Sequence, residues 1–245
     1  MIILRYNRTF LEANTYILAD ENARSALVVD TGAGSRYWIK DTLAAQNLHL
    51  GAVLLTHGHA DHVWDVSAVA GAAPVYISAP DRYRLTDPLA TTGMKNSHLG
   101  FTRMGIDQWQ EPENLQNLPD EIFSTAVELV PGIPMRAVPA PGHTEGSAVF
   151  LFTGQSRREN PASPEMENIL VTGREEKFLF SGDVIFNNGI GRTDLPGGDG
   201  YAMAASLRLL VQVIKPETFI LPGHGDTTSM FHEVRHSQFL QAAMS

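Results

Sequence analysis

Four apolar segments of this 245-residue chain end in the same way, with a side chain able to bind a metal ion a few residues beyond a strand-like run. The runs 52–55, 135–138, 178–180 and 219–221 are mainly apolar, which predicts buried β-strands. Because strands of one sheet deliver their ends to a common edge, we expect the polar residues after them to meet there. They are His57, His59, Asp61, His62, His143, Asp183 and His224.

The densest part of this pattern is the segment Thr56-His57-Gly58-His59-Ala60-Asp61-His62. A single histidine is usually a surface or core residue, but three imidazoles and one carboxylate after a strand favour metal binding, since neutral imidazole coordinates divalent ions. The first two histidines are two residues apart and can face one side, whereas the Asp-His pair begins the next turn and can face a second point. The spacing predicts two adjacent ions. Nitrogen and oxygen ligands without sulfur suit zinc, iron or manganese.

The overall charge excludes some classes of partner. A formal net charge of −9 argues against a nucleic-acid or anionic-membrane surface, because such surfaces require clustered Lys and Arg. The chain has no cysteine, so disulfides, thiolate ligands and a cysteine nucleophile are excluded together. Its N-terminal apolar stretch is too short for a signal peptide and no run reaches membrane-spanning length, so we expect a cytoplasmic protein without a membrane partner.

The order of the predicted elements is that of an α/β protein. Strands rich in β-branched and aromatic residues are predicted over 2–6, 15–19, 26–30, 52–55, 74–78, 126–130, 135–138, 148–152, 178–183 and 218–221. Helices with apolar residues at three- and four-residue spacing are predicted over 35–46, 63–70, 201–214 and 230–243. Ser35 is the expected N-cap of the first helix.

Two segments interrupt this order. Residues 85–121 carry Pro, Gly, Asn and Asp, and we interpret this long irregular stretch as a lid or wall beside the site. Residues 154–177 are rich in Arg, Glu, Asn, Pro and Ser and predict an exposed hairpin extension without a catalytic role. Four side chains of the first stretch either line a substrate cleft or, as is more common, anchor the stretch to the body of the protein: His98, Phe101, Met104 and Trp109.

Two residues outside the cluster are candidates for supporting roles. Asp30 follows a predicted strand near the expected metal edge, where it either hydrogen-bonds a metal-binding histidine or caps a turn. Arg192 lies in a turn-rich, Gly-containing loop and could donate to a substrate carboxylate. Because loops of this kind often use Arg to hold themselves together, we favour pairing within the loop.

The motif His-x-His-x-Asp-His at 57–62, followed by the single His143, Asp183 and His224, resembles the metallo-β-lactamase superfamily over nearly the whole chain. Within it, Ser-Gly-Asp at 181–183, the Gly-Arg-Thr-Asp-Leu-Pro-Gly-Gly loop at 191–198 and Pro-Gly-His-Gly at 222–225 are similar to the short, single-domain glyoxalase II-like hydrolases. The resemblance implies one domain over residues 1–245, folded as a four-layer αβ/βα sandwich with helices outside two sheets. By residue match, it implies one metal ion on His57, His59 and His143, a second on Asp61, His62 and His224, and Asp183 as the bridge.

The activity implied by this resemblance is hydrolysis of a small-molecule thioester of the hydroxyacylglutathione type. The implied cofactors are two divalent ions, with zinc expected first and iron or manganese as alternatives. A hydroxide between the ions attacks the carbonyl, and Asp61 would act catalytically by orienting the hydroxide and taking its proton.

Two departures from the family narrow this expectation. The β-lactam-hydrolysing members most often met in resistance have a cysteine where Asp183 stands, so antibiotic hydrolysis is disfavoured. Larger glyoxalase II enzymes have a C-terminal helical extension with basic residues for glutathione, whereas the 21 residues after His224 contain one Arg and no Lys. The acyl group, the thiol carrier and the oligomeric state therefore stay open.

Two other activities compete with thioester hydrolysis. Persulfide dioxygenases share the Gly-Arg-Thr-Asp loop but use a single iron and only part of the ligand set, so the presence of His62 and His224 favours two metals. A phosphodiesterase or nuclease is disfavoured by the acidic charge and by the absence of an appended nucleic-acid-binding module.

Overall fold

Two β-sheets stacked face to face form the centre of the protein. The structure, a computed structural model, describes residues 1–20, 22–155, 167–168 and 175–244. The predicted strands alternate between residues that face the opposite sheet and residues that face an outer helix. In the strand near residue 179, for example, Phe178 and Phe180 point into the core between the sheets and Leu179 points outward.

Within the described residues, the first sheet has seven strands. They are β1 (Ile2–Tyr6), β2 (Thr15–Asp20), β3 (Ser25–Val29), β4 (His49–Leu54), β5 (Val75–Ile77), β6 (Leu115–Asn117) and the short β10 (Glu167–Asn168). Their spatial order is β10-β1-β2-β3-β4-β5-β6. The pairs from β3 to β6 are parallel, so the carboxyl ends of β3 and β4 lie side by side.

The second sheet has six strands in the part of the chain that the structure describes. They are β7 (Val127–Glu128), β8 (Pro134–Pro139), β9 (Ala148–Gln155), β11 (Glu175–Gly182), β12 (Phe219–Pro222) and β13 (Thr228–Ser229). Their spatial order is β13-β12-β11-β9-β8-β7, in which β11 and β12 are parallel. The segments that follow β11 and β12 therefore start from the same edge.

Helices cover the outer face of each sheet and give the expected four layers. They are α1 (Ser35–Ala45), α2 (Ala60–Val63), α3 (Val66–Ala70), α4 (Pro88–Thr91), α5 (His98–Met104), α6 (Gly200–Val213), α7 (Met230–His236) and α8 (Gln238–Met244). Ile39 and Val66 pack on the outer face of the first sheet, and Leu207 and Leu210 pack on that of the second. Burying each such side chain contributes about 1.5–3 kcal/mol. The predicted αβ/βα sandwich is confirmed.

Two helix predictions need correction. The closing helix predicted over 230–243 is two helices, because Ser237 adopts an extended backbone between them. Ser35 does not cap α1 but is its first residue. The carboxylate of Asp65 accepts hydrogen bonds from the backbone N–H groups of Gly34 (2.9 Å) and Arg36 (3.1 Å) instead. Asp65, which is distant in sequence, thus caps the start of α1, the role that the local sequence predicts for Ser35.

The segment 85–121 is more ordered than its composition predicts. It contains α4, α5, β6 and 3₁₀ turns at Lys95–Ser97 and Asp120–Phe123. Phe101 is fully buried, and the ring of Trp109 packs against the ring of Trp64, with centroids 5.7 Å apart. These two side chains anchor the segment to the body of the protein, as favoured above. Its role as a lid or wall stays a prediction.

Most of the predicted hairpin extension over 154–177 lies outside the described residues. What is described is its base, where β9 and β11 pair antiparallel from Phe150 with Phe180 to Gln155 with Glu175. Among the helices that the structure describes, none has the length and apolarity needed to cross a membrane.

Candidate metal centre

All seven predicted metal-binding side chains meet at one edge of the sandwich. The histidine motif leaves the end of β4 and enters α2, so that His59 directly precedes the helix and Asp61 and His62 lie in it. Asp183 directly follows β11, and His224 comes two residues after β12. The side chains form three groups, in each of which the ligand atoms all lie within 4.8 Å of one another: His57, His59 and His143; His57, His62 and Asp183; and Asp61, His62 and His224.

Asp183 lies between the two ends of this cluster. One of its oxygens, Oδ1, is 3.3 Å from Nε2 of His62, and the other, Oδ2, is 3.3 Å from Nε2 of His143. Nε2 of His224 is 3.3 Å from Oδ2 of Asp61. One carboxylate thus faces both histidine groups.

The donor atoms suit divalent metal ions. Tetrahedral ligands at zinc–nitrogen distances of about 2.0–2.1 Å are roughly 3.3 Å apart. The ring nitrogens of His59 and His143 are 2.8 Å apart and those of His62 and His224 are 3.2 Å apart. Nε2 of His57 is buried without a hydrogen-bond partner within the described residues. A buried lone pair of this kind is costly unless something binds it, and a cation in the cluster would do so.

Hydrogen bonds on the far side of the rings set the tautomers. His62 Nδ1 donates to Oδ2 of Asp30 over 2.8 Å. The hydroxyl of Thr56 donates to the same oxygen over 2.8 Å, so it accepts from Nδ1 of His57 at 3.0 Å. His143 Nδ1 donates to the carbonyl oxygen of Arg192 over 2.7 Å. In the neutral form of all three rings, the nitrogen that faces the cluster therefore carries a lone pair.

The ionisation of the metal-free cluster follows from burial and mutual charge. Burial, together with the neighbouring His62 and His143, holds the pKa of His57 well below its usual value. Burial and His143 lower the pKa of His59 to about 3. Burial alone would raise the pKa of Asp183, but His62 and His224 outweigh it and hold that pKa well below its usual range. His57 and His59 are therefore neutral and Asp183 is ionised, which are the forms of these residues that coordinate metals.

Asp30 has the first of its two expected roles. Besides the two side-chain hydrogen bonds, its Oδ1 accepts from the backbone N–H of Thr56 over 2.8 Å. Asp30 is 2 % exposed and adopts a left-handed backbone conformation, with φ of 57°. This carboxylate therefore positions His62 directly and His57 through Thr56.

Arg192 lies beside the cluster, and its side chain pairs within its own loop. Its Nε and Nη2 donate to the two carboxylate oxygens of Asp194 over 2.6 and 2.7 Å. Both side chains are mostly exposed. The backbone carbonyl of Arg192 is the group that contacts the cluster, through His143.

Asp81 supports the histidine motif from behind and was not anticipated from the sequence. Its Oδ2 accepts from the backbone N–H of Gly58 (2.7 Å) and the hydroxyl of Thr144 (2.8 Å), and its Oδ1 accepts from the N–H of Gly146 (2.7 Å). Asp81 is fully buried. It therefore ties the loop of His57 and His59 to the loop of His143.

Arg84 is the buried partner of Asp81. Its Nε donates to Oδ1 of Asp81 over 3.3 Å, and its Nη2 donates to Glu145 and to the carbonyl oxygen of Pro196. Breaking a buried pair by removing one partner costs about 3–5 kcal/mol, because the other charge is left unpaired. The three-residue spacing of this Asp and Arg was the one feature of the sequence that could have predicted the pair. Ion pairs on exposed helices have the same spacing, so it does not distinguish a buried pair.

A cavity of about 370 Å³ opens onto the cluster. Its walls contain side chains of the metal centre together with apolar side chains. Met94, from the segment 85–121, is one of the apolar residues. The residues lining it are Leu11, His59, Asp61, Met94, His143, Asp183, Phe186, Ile190, Gly191, Arg192, Leu195 and His224.

Comparison with solved structures supports the fold. The chain is similar to the BLEG-1 B3 metallo-beta-lactamase, with a TM-score of 0.72 and 27% identity over 96% of this chain and 98% of the other. It is also similar to TTHA1623 in a di-iron-bound form, with a TM-score of 0.64 and 25% identity over 94% and 96%. ETHE1 from Myxococcus xanthus, with a TM-score of 0.66 and 21% identity over 100% and 91%, shares the fold.

Comparison of sequences gives the same result. An uncharacterized protein of Mycobacterium tuberculosis is 32% identical over 243 residues, covering 98% of each chain. The hydroxyacylglutathione hydrolase GloC of Haemophilus influenzae is 27% identical over 236 residues, covering 96% of this chain and 95% of its own. A family model described as the metallo-beta-lactamase superfamily matches residues 8–156 and 168–224. With a His/Asp cluster of metal-binding type at the edge of an αβ/βα sandwich, this chain belongs to the metallo-beta-lactamase superfamily.

Proposed function

We propose that this protein is a metal-dependent thioester hydrolase of the glyoxalase II type. The observation that carries the proposal is the placement of Asp183 between two complete ligand groups, with one oxygen 3.3 Å from His62 and the other 3.3 Å from His143. A single-metal site has no need for the group of Asp61, His62 and His224. The similarity to GloC supports a thioester as the substrate.

In this proposal, the cluster holds two divalent ions. His57, His59 and His143 would hold one, Asp61, His62 and His224 the other, and Asp183 would bridge them. When bound, such a pair supplies hydroxide at neutral pH and polarises a carbonyl. Zinc is the expected metal, and the di-iron form of a similar structure keeps iron as an alternative.

Asp61 is the proposed catalytic carboxylate. Burial would raise its pKa, but His62 and His224 outweigh burial and lower it. The group therefore stays ionised near neutral pH and is able to orient a water-derived nucleophile and accept its proton. In the overall reaction water is added and the bond between the carbonyl carbon and sulfur breaks, which yields a carboxylic acid and a thiol. A small-molecule substrate and a cytoplasmic location remain part of the proposal.

The alternative is a persulfide dioxygenase with a single iron. Its support is the shared Gly-Arg-Thr-Asp loop at 191–194. Two ligand groups instead of one count against it. A phosphodiesterase or nuclease is disfavoured by the net charge of −9.

The experiment combines metal analysis with a substrate panel on one preparation. The panel contains lactoylglutathione, thioesters of other thiols, glutathione persulfide and a chromogenic β-lactam, the last because one similar structure is a B3 metallo-beta-lactamase. We expect two ions per chain and thioester hydrolysis. Asp61→Asn should fold and lose most turnover, whereas Asp41→Asn, an exposed change on α1, should keep it. One iron per chain with oxygen consumption on the persulfide would contradict the proposal, as would full turnover by Asp61→Asn.

A further inference from the structure

The cavity beside the metal centre has an apolar rim that metal binding does not explain. Five of its lining residues are large and apolar, and we call them the apolar collar: Leu11, Met94, Phe186, Ile190 and Leu195. The ring of Phe186 stands against the ring of His224, with centroids 5.9 Å apart. A substrate whose carbonyl reaches the metal centre must therefore lie against this apolar surface.

Leu11 lines this cavity while its backbone adopts an energetically unfavourable conformation. Leu11 and Glu12 both have positive φ angles, of 66° and 58°. Bulky residues other than glycine rarely adopt this conformation, and such strain persists only where the surroundings hold it. The Leu11 side chain is nonetheless 42 % exposed, so burial of that side chain does not compensate for the strain.

The residues on both sides of Leu11 hold this conformation. The ring of Phe10 packs edge-on against buried Phe101, with centroids 4.8 Å apart, and its backbone N–H donates to the Ala33 carbonyl oxygen over 2.9 Å. The hydroxyl of Thr9 donates to the carbonyl oxygen of Ala13 over 2.7 Å. Ala13 in turn forms an isolated β-bridge with His224. The strained turn is thus fixed relative to the metal centre.

Outside the metal centre, the charge at the rim of the cavity is nearly balanced. Among the residues described as lining the cavity, Arg192 is the one permanent cation, and its guanidinium forms two hydrogen bonds to the carboxylate of Asp194. An anionic substituent would have to compete with Asp194 for that cation. A neutral carbon chain would meet the collar without this competition.

We propose that the apolar collar binds the acyl group of the substrate and selects neutral, apolar acyl chains over anionic ones. The inference rests on the proposed thioester hydrolysis and specifies its substrate class. Biological thiol carriers contain amides and charged groups, so the acyl chain is the part of such a thioester that gains from burial against Leu11 and Phe186.

The kinetic test uses one small neutral thiol, N-acetylcysteamine, carrying acetyl, butanoyl, hexanoyl or succinyl groups, with the metal-loaded protein. We expect kcat/KM for hexanoyl to exceed those for acetyl and succinyl by about tenfold or more. Added methylene groups gain from an apolar pocket by at least this order, and the succinyl carboxylate would lose its hydration there. Leu11→Ala and Phe186→Ala should each lower the hexanoyl-to-acetyl ratio by about tenfold. Leu209→Ala, equally exposed at 41 % but on α6 away from the cavity, should keep the ratio. Preference for succinyl, or an unchanged ratio in both collar variants, would overturn the proposal.

A binding measurement separates this proposal from the proposed function. Calorimetry compares the hexyl and 5-carboxypentyl thioethers of N-acetylcysteamine, which lack the thioester carbonyl and so cannot undergo thioester hydrolysis. Preference for hexyl that Leu11→Ala abolishes supports the collar even if no thioester is hydrolysed, in which case the proposed function fails alone. Thioester hydrolysis without that preference means that the collar fails alone.

Leu11→Gly tests why the strained residue is kept. Glycine adopts positive φ readily, so this variant should have a higher Tm than the wild type and lose the preference for the hexyl ligand. A lower Tm would mean that the Leu11 side chain supports the fold rather than the ligand, and would contradict this part of the inference.

Discussion

Asp30 Oδ2 accepts a hydrogen bond from Nδ1 of His62 over 2.8 Å, at the point where the parallel strands β3 and β4 end side by side. The same carboxylate binds the backbone N–H and the hydroxyl of Thr56, which in turn accepts from His57. One residue that lies outside the ligand cluster thereby orients a histidine of each proposed metal site.

Replacing Asp30 with Asn should therefore weaken metal binding. The amide carries no charge, and outer partners of ligand histidines typically contribute about 10–100-fold to metal affinity. Competition with a chromogenic chelator measures the affinity of both sites. The exposed Asp41→Asn serves as the matched control. Unchanged affinity in Asp30→Asn would mean that His62 and His57 are held by the rest of their surroundings.

Gly191→Ala should damage the site through sterics. A Cβ at this position would lie 1.9 Å from the backbone oxygen of Asp183 and 2.9 Å from Nδ1 of His143, so the loop would have to move away from both. That movement would withdraw the carbonyl of Arg192 from His143. We expect a metal affinity lower by about tenfold or more.

Gly200→Ala is the control for this change. A Cβ there meets only the Thr193 hydroxyl, at 3.5 Å, and Gly200 is the first residue of α6. Ala in a helix is more stable than Gly by about 0.5–1 kcal/mol, so this variant should keep its metal and melt at the same or a higher temperature. Equal metal affinity in the two variants would refute the steric argument.

Metal affinity should fall as the pH falls. Burial would lower the pKa of His62, but Asp183 and Asp61 outweigh burial and raise that pKa well above 6.5. The pKa of His224 is raised in the same way, against burial and chiefly by Asp183. In the metal-free protein these histidines are therefore protonated below their raised pKa values, and a metal ion must displace the protons.

The stability of the metal-free fold depends on pH in the opposite direction from metal affinity. Protonation of His62 stabilises the metal-free fold, fully so below about pH 6.5, and this contribution is lost as the pH rises through the raised pKa. Metal binding should weaken by about tenfold per pH unit for each proton displaced. Chelator competition between about pH 8 and about pH 6 measures this slope. A flat profile would contradict the assignment of His62 and His224 as ligands.

Arg192→Ala should change Tm little, because its ion pair with Asp194 is exposed at both ends and such pairs contribute little stability. KM for neutral thioesters should also be nearly unchanged, since the guanidinium is already paired. Thermal melts and initial-rate kinetics check both quantities. A large rise in KM with unchanged Tm would show that the side chain binds substrate.

The strand-end pattern was sufficient to predict which residues meet at the site. His57 and His224 are 167 positions apart, yet each follows a short apolar run, and the parallel or paired strands of a sandwich bring such ends to one edge. The continuous apolar run 178–180 likewise predicted a buried strand, and in the structure both faces of that strand are covered. Apolar runs followed by metal-binding side chains are thus readable without the fold.

The supporting contacts could not be predicted because they depend on tertiary structure. Asp81 and Arg84 are charged residues at a spacing typical of an exposed helical turn. They are buried only because three loops pack around them. Asp65 replaces Ser35 as the cap of α1 for the same reason. The positive φ of Leu11 follows from the anchoring of Phe10 and Ala13, which no local pattern encodes.

In the proposed function, two ions held by the seven clustered side chains make the nucleophile for thioester hydrolysis. Metal content and turnover are to be measured on the same sample before chelation, after chelation and after metal is restored. We predict two divalent ions per chain, loss of thioester hydrolysis in step with metal removal, and its return on reloading. Full turnover by the metal-free protein would contradict the claim, as would full turnover with a single ion per chain.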